Sequence, residues 1–121
     1  MITLDGKEGL LGHRDIKSLY VVSKYGVSIE NIDKIAVPSI ILDNQNQIII
    51  LDEIGKMECF SEKFKKATLK GLDSANTLIG TIAVGGTEFI RKIEKRNNIK
   101  IIEVTVSNRN ELPERILTSV N

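Results

Sequence analysis

The stretch that decides the fold runs Ile48-Ile49-Ile50-Leu51-Asp52-Glu53-Ile54-Gly55-Lys56-Met57-Glu58. Its first four residues are apolar, and three of them are β-branched, which predicts a strand that is buried on both faces. Two adjacent carboxylates, Asp52 and Glu53, follow at the carboxyl end of this strand. Open α/β sheets bind their ligands at that edge. The stretch therefore predicts a buried strand that carries two carboxylates to a ligand site.

An Asp-Glu pair at such a strand end can perform two tasks in phosphoryl transfer. Asp52 can hold a hydrated Mg²⁺, while Glu53 orients a water molecule and removes its proton, as in the Walker B strand of nucleotide hydrolases. The alternative is structural, because acidic residues are common where helices and loops begin after a strand. The longer string from Asp52 to Glu58 distinguishes these readings better than the pair does.

Composition predicts one globular domain, residues 1–121. Hydrophobic residues make up 41% of the chain and charged residues 27%, which is typical of a globular protein, and the length suffices for one core but not for two ordinary domains. The net charge is +1 and aromatic residues make up 4% of the chain. Both values argue against a surface that binds nucleic acid, which needs basic and aromatic side chains.

Three further features concern the cellular location. The longest apolar stretch, residues 35–42, is interrupted by a proline and is far too short to span a membrane. The first residues include charged side chains where a signal peptide would be apolar. Cys59 is the only cysteine, so no disulfide can form within the chain and a reducing compartment is expected. We therefore expect a cytoplasmic protein that makes no contact with membranes.

From residue 48 onward, the pattern alternates between strands and helices. Strands are predicted at residues 48–51, 77–82 and 99–106. Helices are predicted at residues 61–72, after the cap residue Thr87 and after the cap residue Asn110. This order requires a parallel sheet with right-handed crossovers.

The first part of the chain has a different pattern. Residues 2–25 predict extended structure with turns, and Asp5-Gly6 is a hairpin signal. Ser28 is predicted to cap a helix, which Pro38 must kink or divide into two segments. The predicted fold class is thus α/β, a parallel sheet with flanking helices preceded by an N-terminal region that resembles a β-hairpin.

Three blocks of sequence resemble one known family. They are Lys-Tyr-Gly-Val at residues 24–27, Asp-Glu-Ile-Gly-Lys-Met-Glu at 52–58 and Glu-Val-Thr-Val-Ser-Asn-Arg-Asn-Glu-Leu-Pro at 103–113. In this order they resemble the thermostable nucleoside-triphosphatase family, and the similarity extends from about Gly9 to Ile116. The resemblance implies a P-loop NTPase-like fold and Mg²⁺-dependent hydrolysis of nucleoside triphosphates to diphosphates and phosphate.

The resemblance also implies roles for four side chains. Asp52 would be the Mg²⁺ ligand and Glu53 the general base. Thr81, at the end of the second predicted strand, would be a polar sensor that contacts the nucleotide. Arg109 is a candidate for a nucleotide contact or a structural contact.

One element of the family pattern does not occur in these 121 residues. Members of the family begin with a strand and a glycine-rich phosphate loop, whereas no Gly-x-x-x-x-Gly-Lys-Ser/Thr spacing is found here. Such a loop supplies the backbone N–H groups and the lysine that bind the phosphates. We therefore expect a truncated P-loop sheet that carries only the Walker B half of the site and is nearly inactive by itself.

Three functions stay open on this basis. The chain could hydrolyse nucleoside triphosphates when a separate chain supplies the phosphate loop. It could instead be a degenerate, non-catalytic binding or assembly module. A nucleic-acid-binding protein is the third function, and the nearly neutral charge disfavours it. In the family architecture, the missing strand leaves unpaired edges beside the strands at 77–82 and 99–106, so a homo-oligomer could also cover them.

Overall fold

The computed structural model describes residues 1–120 and begins with a small antiparallel sheet. Its strands are β1 (Gly12–His13), β2 (Val21–Val22) and β3 (Tyr25–Val27), in the order β1-β3-β2. Ahead of this sheet, Ile2 and Glu8 form an isolated antiparallel bridge around a turn in which Gly6 has a φ of +88°. The hairpin-like start of the chain is therefore confirmed.

A divided helix follows the antiparallel sheet. The Ser28 hydroxyl accepts a hydrogen bond from the Asn31 N–H and caps the helix, as predicted. The helix consists of α1 (Ile29–Asn31), a π-helical segment (Ile32–Ala36) and α2 (Val37–Ile40). Pro38 lies in the first turn of α2. Proline has no N–H and its ring crowds the preceding turn, and the turn before it is the wider π-helical segment. The helix is therefore divided near Pro38, as predicted.

A parallel sheet of two strands forms the second half of the fold. Strand β4 (Ile49–Ile54) pairs in parallel with β5 (Leu78–Ile82). A 3₁₀ turn (Glu58–Phe60) and helix α3 (Glu62–Asp73) connect them. The predicted strand–helix–strand crossover is therefore present.

Two short helices follow β5. Helix α4 (Glu88–Glu94) is capped by the Thr87 hydroxyl, as predicted. Helix α5 (Leu112–Ser119) begins after Glu111 rather than after Asn110, and a proline occupies its first turn. Proline is tolerated there because the first N–H groups of a helix have no partner within the helix.

The core lies between one face of the parallel sheet and the helices. Ile49 and Ile54 of β4 are 4% and 3% exposed, and they join a buried cluster with residues of α2, α3 and α4. The members of that cluster on the helices include Val37, Ile40, Phe64, Ala67 and Ile90. No helix among residues 1–120 is long and apolar enough to span a membrane.

Two predictions for the sheet are wrong. Ile50 is 56% exposed and Ile48 is 42% exposed, so β4 is covered on one face and not on both, since its buried residues pack with helices on one side. The strand predicted at residues 99–106 does not form, and no ladder pairs this segment with another part of residues 1–120. A β-prone sequence becomes a strand only where another strand offers its backbone groups.

Candidate functional site

A bulge at the carboxyl end of β4 positions the two carboxylates of the motif. In the ladder between β4 and β5, two residues of β4, Asp52 and Glu53, lie opposite one residue of β5, Thr81. A bulge of this kind bends the strand and redirects its side chains. All three side chains are exposed at the carboxyl edge of the sheet, which is where the sequence predicts a ligand site.

Thr81 fixes the orientation of the first carboxylate. Its hydroxyl donates a hydrogen bond of 2.8 Å to Oδ1 of Asp52, although 29 residues separate the two in sequence. The structure therefore brings together two of the four predicted site residues in direct contact. Because the hydroxyl engages one carboxylate oxygen, the other oxygen of Asp52 is available to a ligand.

Glu58 holds the turn that follows these carboxylates. The Gly55 N–H donates a hydrogen bond of 3.0 Å to Oε2 of Glu58. A Cβ atom added at Gly55 would lie 2.9 Å from that same oxygen and 3.1 Å from Oε1 of Glu53. The two glutamate carboxylates therefore approach the same side of Gly55, and a larger residue at this position would push the ends of both side chains aside.

The environment of Glu58 also perturbs its protonation. Burial raises the pKa of this half-buried carboxyl group, hydrogen bonds from backbone N–H groups oppose the rise, and the charge of Glu53 adds to it. Glu58 is the last residue of the motif at 52–58, but no role for it was predicted from the sequence. The signal that could have found it is its position three residues after Gly55, the spacing at which a glutamate caps a backbone N–H in a capping box.

Arg109 lies apart from this group of residues in the contacts that the structure describes. It is exposed in the turn before α5, where its N–H donates to the Thr105 carbonyl over 3.0 Å. Within residues 1–120, no hydrogen bond or ion pair joins its side chain to the two strand-end carboxylates or to Thr81. Its participation in the site stays a prediction.

A cleft of about 450 Å³ opens beside the carboxylates. It lies between the turn after β4, the N-terminal sheet and the loop that follows β5. Gly85, in that loop, has a φ of +70°, a conformation that glycine adopts without strain. Polar and charged lining residues include Glu53, Lys56, Glu58 and Thr87.

The ligands available at the sheet edge are all oxygen atoms. Asp52, Glu53 and Thr81 could hold a hard cation such as Mg²⁺, which binds through one or two carboxylates and keeps several water molecules. No group of three or more His, Cys, Asp or Glu residues within residues 1–120 forms a complete metal cage. The site therefore fits a cation that completes its coordination with water and with phosphate oxygens.

Comparisons with known proteins agree with this arrangement. A family model described as NTPase matches residues 1–117. The chain is 42% identical over 119 residues to the nucleoside-triphosphatase THEP1 of Thermotoga maritima, and the alignment covers 98% of this chain and 68% of that protein. It is 31% identical over 140 residues to the human cancer-related nucleoside-triphosphatase, covering 99% of this chain and 70% of that one.

A solved structure supports the same relationship. The crystal structure of THEP1 from Aquifex aeolicus superposes with a TM-score of 0.86 at 28% identity, and the match covers 98% of this chain and 73% of that chain. The predicted α/β, P-loop NTPase-like fold is thus confirmed. Because the family model matches nearly the whole chain, the protein belongs to the NTPase family of nucleoside-triphosphatases.

Proposed function

We propose that this chain provides the carboxylate half of a Mg²⁺-dependent nucleoside-triphosphatase site, which converts a nucleoside triphosphate and water to a diphosphate and phosphate. One observation carries the proposal. The bulge in β4 places Asp52 and Glu53 opposite Thr81, whose hydroxyl orients Asp52 at 2.8 Å. The names of the relatives supply the class of reaction.

Asp52 is the residue that holds the metal in this proposal. It is exposed at the strand end, and Thr81 keeps its carboxylate in one orientation. When bound, Mg²⁺ neutralises the charge that develops on the phosphate oxygens. Thr81 thus acts on the nucleotide through Asp52, in addition to any contact that it makes itself.

Glu53 is the general base in this proposal. Its carboxylate orients a water molecule and accepts its proton as the water oxygen attacks the terminal phosphorus, whose bond to the bridging oxygen breaks so that the nucleoside diphosphate leaves. A positioned general base contributes about 10² to 10⁴ in rate. Glu58 supports this role because its hydrogen bond to the Gly55 N–H fixes the turn beside the Glu53 side chain.

The phosphates need donors that residues 1–121 do not provide in the usual form, since no Gly-x-x-x-x-Gly-Lys-Ser/Thr spacing occurs among them. We propose that a phosphate-loop segment outside these residues supplies the donors, in the same polypeptide or in another. The alignment leaves about a third of the Thermotoga relative uncovered, which is long enough for such a segment. The exposed Ile50 on the open face of β4 offers it an apolar surface.

The experiment joins that uncovered segment of the Thermotoga relative to this chain and measures phosphate release from ATP and GTP. The joined protein should hydrolyse both only with Mg²⁺, and Glu53→Gln should lower the rate by about 10² to 10⁴. Glu94→Gln, an exposed glutamate on α4, is the matched control and should leave the rate unchanged. Residues 1–121 without the segment should hydrolyse no faster than their own Glu53→Gln variant.

Two outcomes would contradict the proposal. An unchanged rate in the joined Glu53→Gln protein would remove Glu53 as the base. Binding of nucleotide without hydrolysis in the joined protein would favour the alternative, a non-catalytic binding module. A homo-oligomer that covers the free sheet edge and a cytoplasmic location stay proposals, and sedimentation of the purified chain tests the first of them.

A further inference from the structure

Strand β2 leaves one edge of the N-terminal sheet open. The sheet has the order β1-β3-β2, so β2 (Val21–Val22) pairs with β3 alone among residues 1–120. The Val27 N–H donates a hydrogen bond of 2.9 Å to the Tyr20 carbonyl. Because backbone groups alternate between the two sides of an antiparallel strand, the N–H and C=O of Val21 point away from β3. This edge can therefore pair with a further strand.

The side chains along this edge are apolar and exposed. Leu19 is 98% exposed, Val21 51% and Tyr20 44%. Proteins usually protect a free sheet edge with charged residues or proline, and residues 19–22 include neither. An unprotected edge of this kind is a surface to which another polypeptide segment can bind.

A cleft of about 520 Å³ adjoins the same strand. Strand β2 and the turn after it form one wall, and residues of the 3₁₀ turn, α3 and α4 form the others. We call this space the edge cleft. Its apolar lining includes Val22, Phe60 and Phe89, and the rings of Phe60 and Tyr20 lie with their centroids 5.3 Å apart. A strand added to β2 would alternate its side chains between two faces, so every second one could enter this apolar space.

The charged residues of the edge cleft are mostly basic. Lys56, Lys65 and Lys92 line it, and Glu88 is the only acidic residue among the lining residues. The three lysines come from three different segments, which are the turn after β4, α3 and α4. Lys65 also has a partner outside the cleft, because its ammonium group lies 2.6 Å from Glu62. Positive charges on separate segments complement carboxylates that are spaced along an extended chain, and no single anion has to contact them all.

We propose that the open edge of β2 and the edge cleft bind an extended acidic segment of another protein. The segment adds a strand to β2 through the N–H and C=O of Val21, and its alternate apolar side chains contact Phe60 and Phe89. Its carboxylates face the basic residues of the cleft. Pairing with a second copy of this chain would bring the same lysines to the edge and is therefore disfavoured. The proposal involves neither a nucleotide nor hydrolysis, so it goes beyond the proposed function.

The test selects peptides of about six residues, the usual length of a strand, from a random displayed library against residues 1–121. Recovered peptides should contain more Asp and Glu than Lys and Arg, with apolar side chains at every second position. A synthetic peptide of such a sequence should shift the amide resonances of Val21, Ser23 and Phe60. Methylation of the peptide N–H groups that pair with β2 should weaken binding by about tenfold or more, because each lost hydrogen bond costs about 1 kcal/mol.

Two variants at Val21 form a matched pair. Val21→Pro removes the outward N–H and leaves the ladder to β3 its donors, at an edge position of the kind where strands tolerate proline, and it should weaken peptide binding by about tenfold or more. Val21→Thr keeps both the N–H and the β-branched side chain and should change the affinity by less than about threefold. The amide spectra show whether each variant is folded.

A second matched pair tests the charge. Lys92→Glu reverses a charge in the edge cleft and should weaken binding of the acidic peptide by about threefold or more. Lys95→Glu reverses an exposed charge at the end of the same helix, outside the cleft, and should leave the affinity unchanged.

Each alternative result would overturn the proposal. Recovery of no peptides above an empty-support control, or of mainly basic peptides, would remove the proposed partner. Equal affinities of the methylated and unmethylated peptides for the wild type would exclude strand addition, and this measurement decides the point even where Val21→Pro does not fold. Loss of peptide binding in the joined protein would assign the edge to its added segment, and dimers that Val21→Pro abolishes would assign it to a second copy. None of these results depends on hydrolysis, so the two proposals can fail separately.

Discussion

Replacement of Gly26 by alanine should disrupt the N-terminal sheet, and the structure indicates by how much. Gly26 lies in the central strand β3, paired with His13 on one side and Val21 on the other. A Cβ atom at this position would lie 1.9 Å from the carbonyl oxygen of Ile16, whereas ordinary contacts begin at 3.4 Å. One of the two backbone segments must therefore move by roughly 1.5 Å, which close packing does not allow without broken contacts.

The expected loss of stability follows from the bonds that such a movement breaks. Because β3 is bonded on both sides, a shift of its backbone disturbs both ladders, and each lost hydrogen bond costs about 1 kcal/mol. Overpacking adds about 1–3 kcal/mol. Gly26→Ala should thus lower the free energy of unfolding by about 3 kcal/mol or more, a large share of the roughly 5–15 kcal/mol that holds a domain together.

Tyrosine fluorescence during urea unfolding measures this loss selectively. The chain has two tyrosines and no tryptophan, and both Tyr20 and Tyr25 lie in or beside the N-terminal sheet. Gly6→Ala is the control, because a Cβ there meets nothing within 4 Å and only the φ of +88° opposes it, at about 1–2 kcal/mol. A loss in Gly26→Ala no larger than that in Gly6→Ala would refute the packing argument.

Three further predictions concern the carboxylate site. Gly55→Ala pushes aside only the flexible ends of Glu53 and Glu58, so urea unfolding should show that the free energy of unfolding falls by about 1 kcal/mol. Hydrolysis by the joined protein should slow by about tenfold or more, and an unchanged rate would contradict this. Because burial raises the pKa of Glu58, the free energy of unfolding of the wild type should fall as pH rises from the ordinary glutamate pKa through the raised one. Glu58→Gln keeps an acceptor for the Gly55 N–H, and urea unfolding measured across this pH range should show that the variant loses the pH dependence. Thr81→Val removes the hydrogen bond to Asp52, and it should change the free energy of unfolding by less than about 1 kcal/mol. It should raise the Mg²⁺ concentration needed for half-maximal hydrolysis by the joined protein, and an unaltered Mg²⁺ dependence would argue against the orienting role of Thr81.

Local signals in the sequence predicted the helix caps and the division of the first helix. Ser28 and Thr87 each accept a hydrogen bond from the N–H three residues further along. Pro38 lies where the helix is divided. These features depend on neighbours within one helical turn, so no knowledge of the tertiary structure is needed to predict them.

The candidate site could be predicted in part. The strand order indicates that Asp52 and Thr81 meet at one edge, because the carboxyl ends of parallel strands lie together. The bulge could not be predicted, since it arises from a change of register between β4 and β5, and register depends on how two distant segments pack. The hydrogen bond between Asp52 and Thr81 depends on that bulge and was not predictable either.

The two wrong predictions have one physical cause. The apolar, β-branched residues at 48–51 and 99–106 indicate that these segments can pair as strands and be buried on both faces. Residues 1–120 provide only some of the partner strands and covering side chains that this would need. Ile50 and Val106 are accordingly 56% and 79% exposed. The exposure of these residues supports, independently of the phosphate-loop spacing, our proposal that another polypeptide segment packs on the open side of this sheet. In that proposal, one added segment would both extend the sheet beside the exposed apolar residues and provide the phosphate contacts next to the carboxylates at the end of β4.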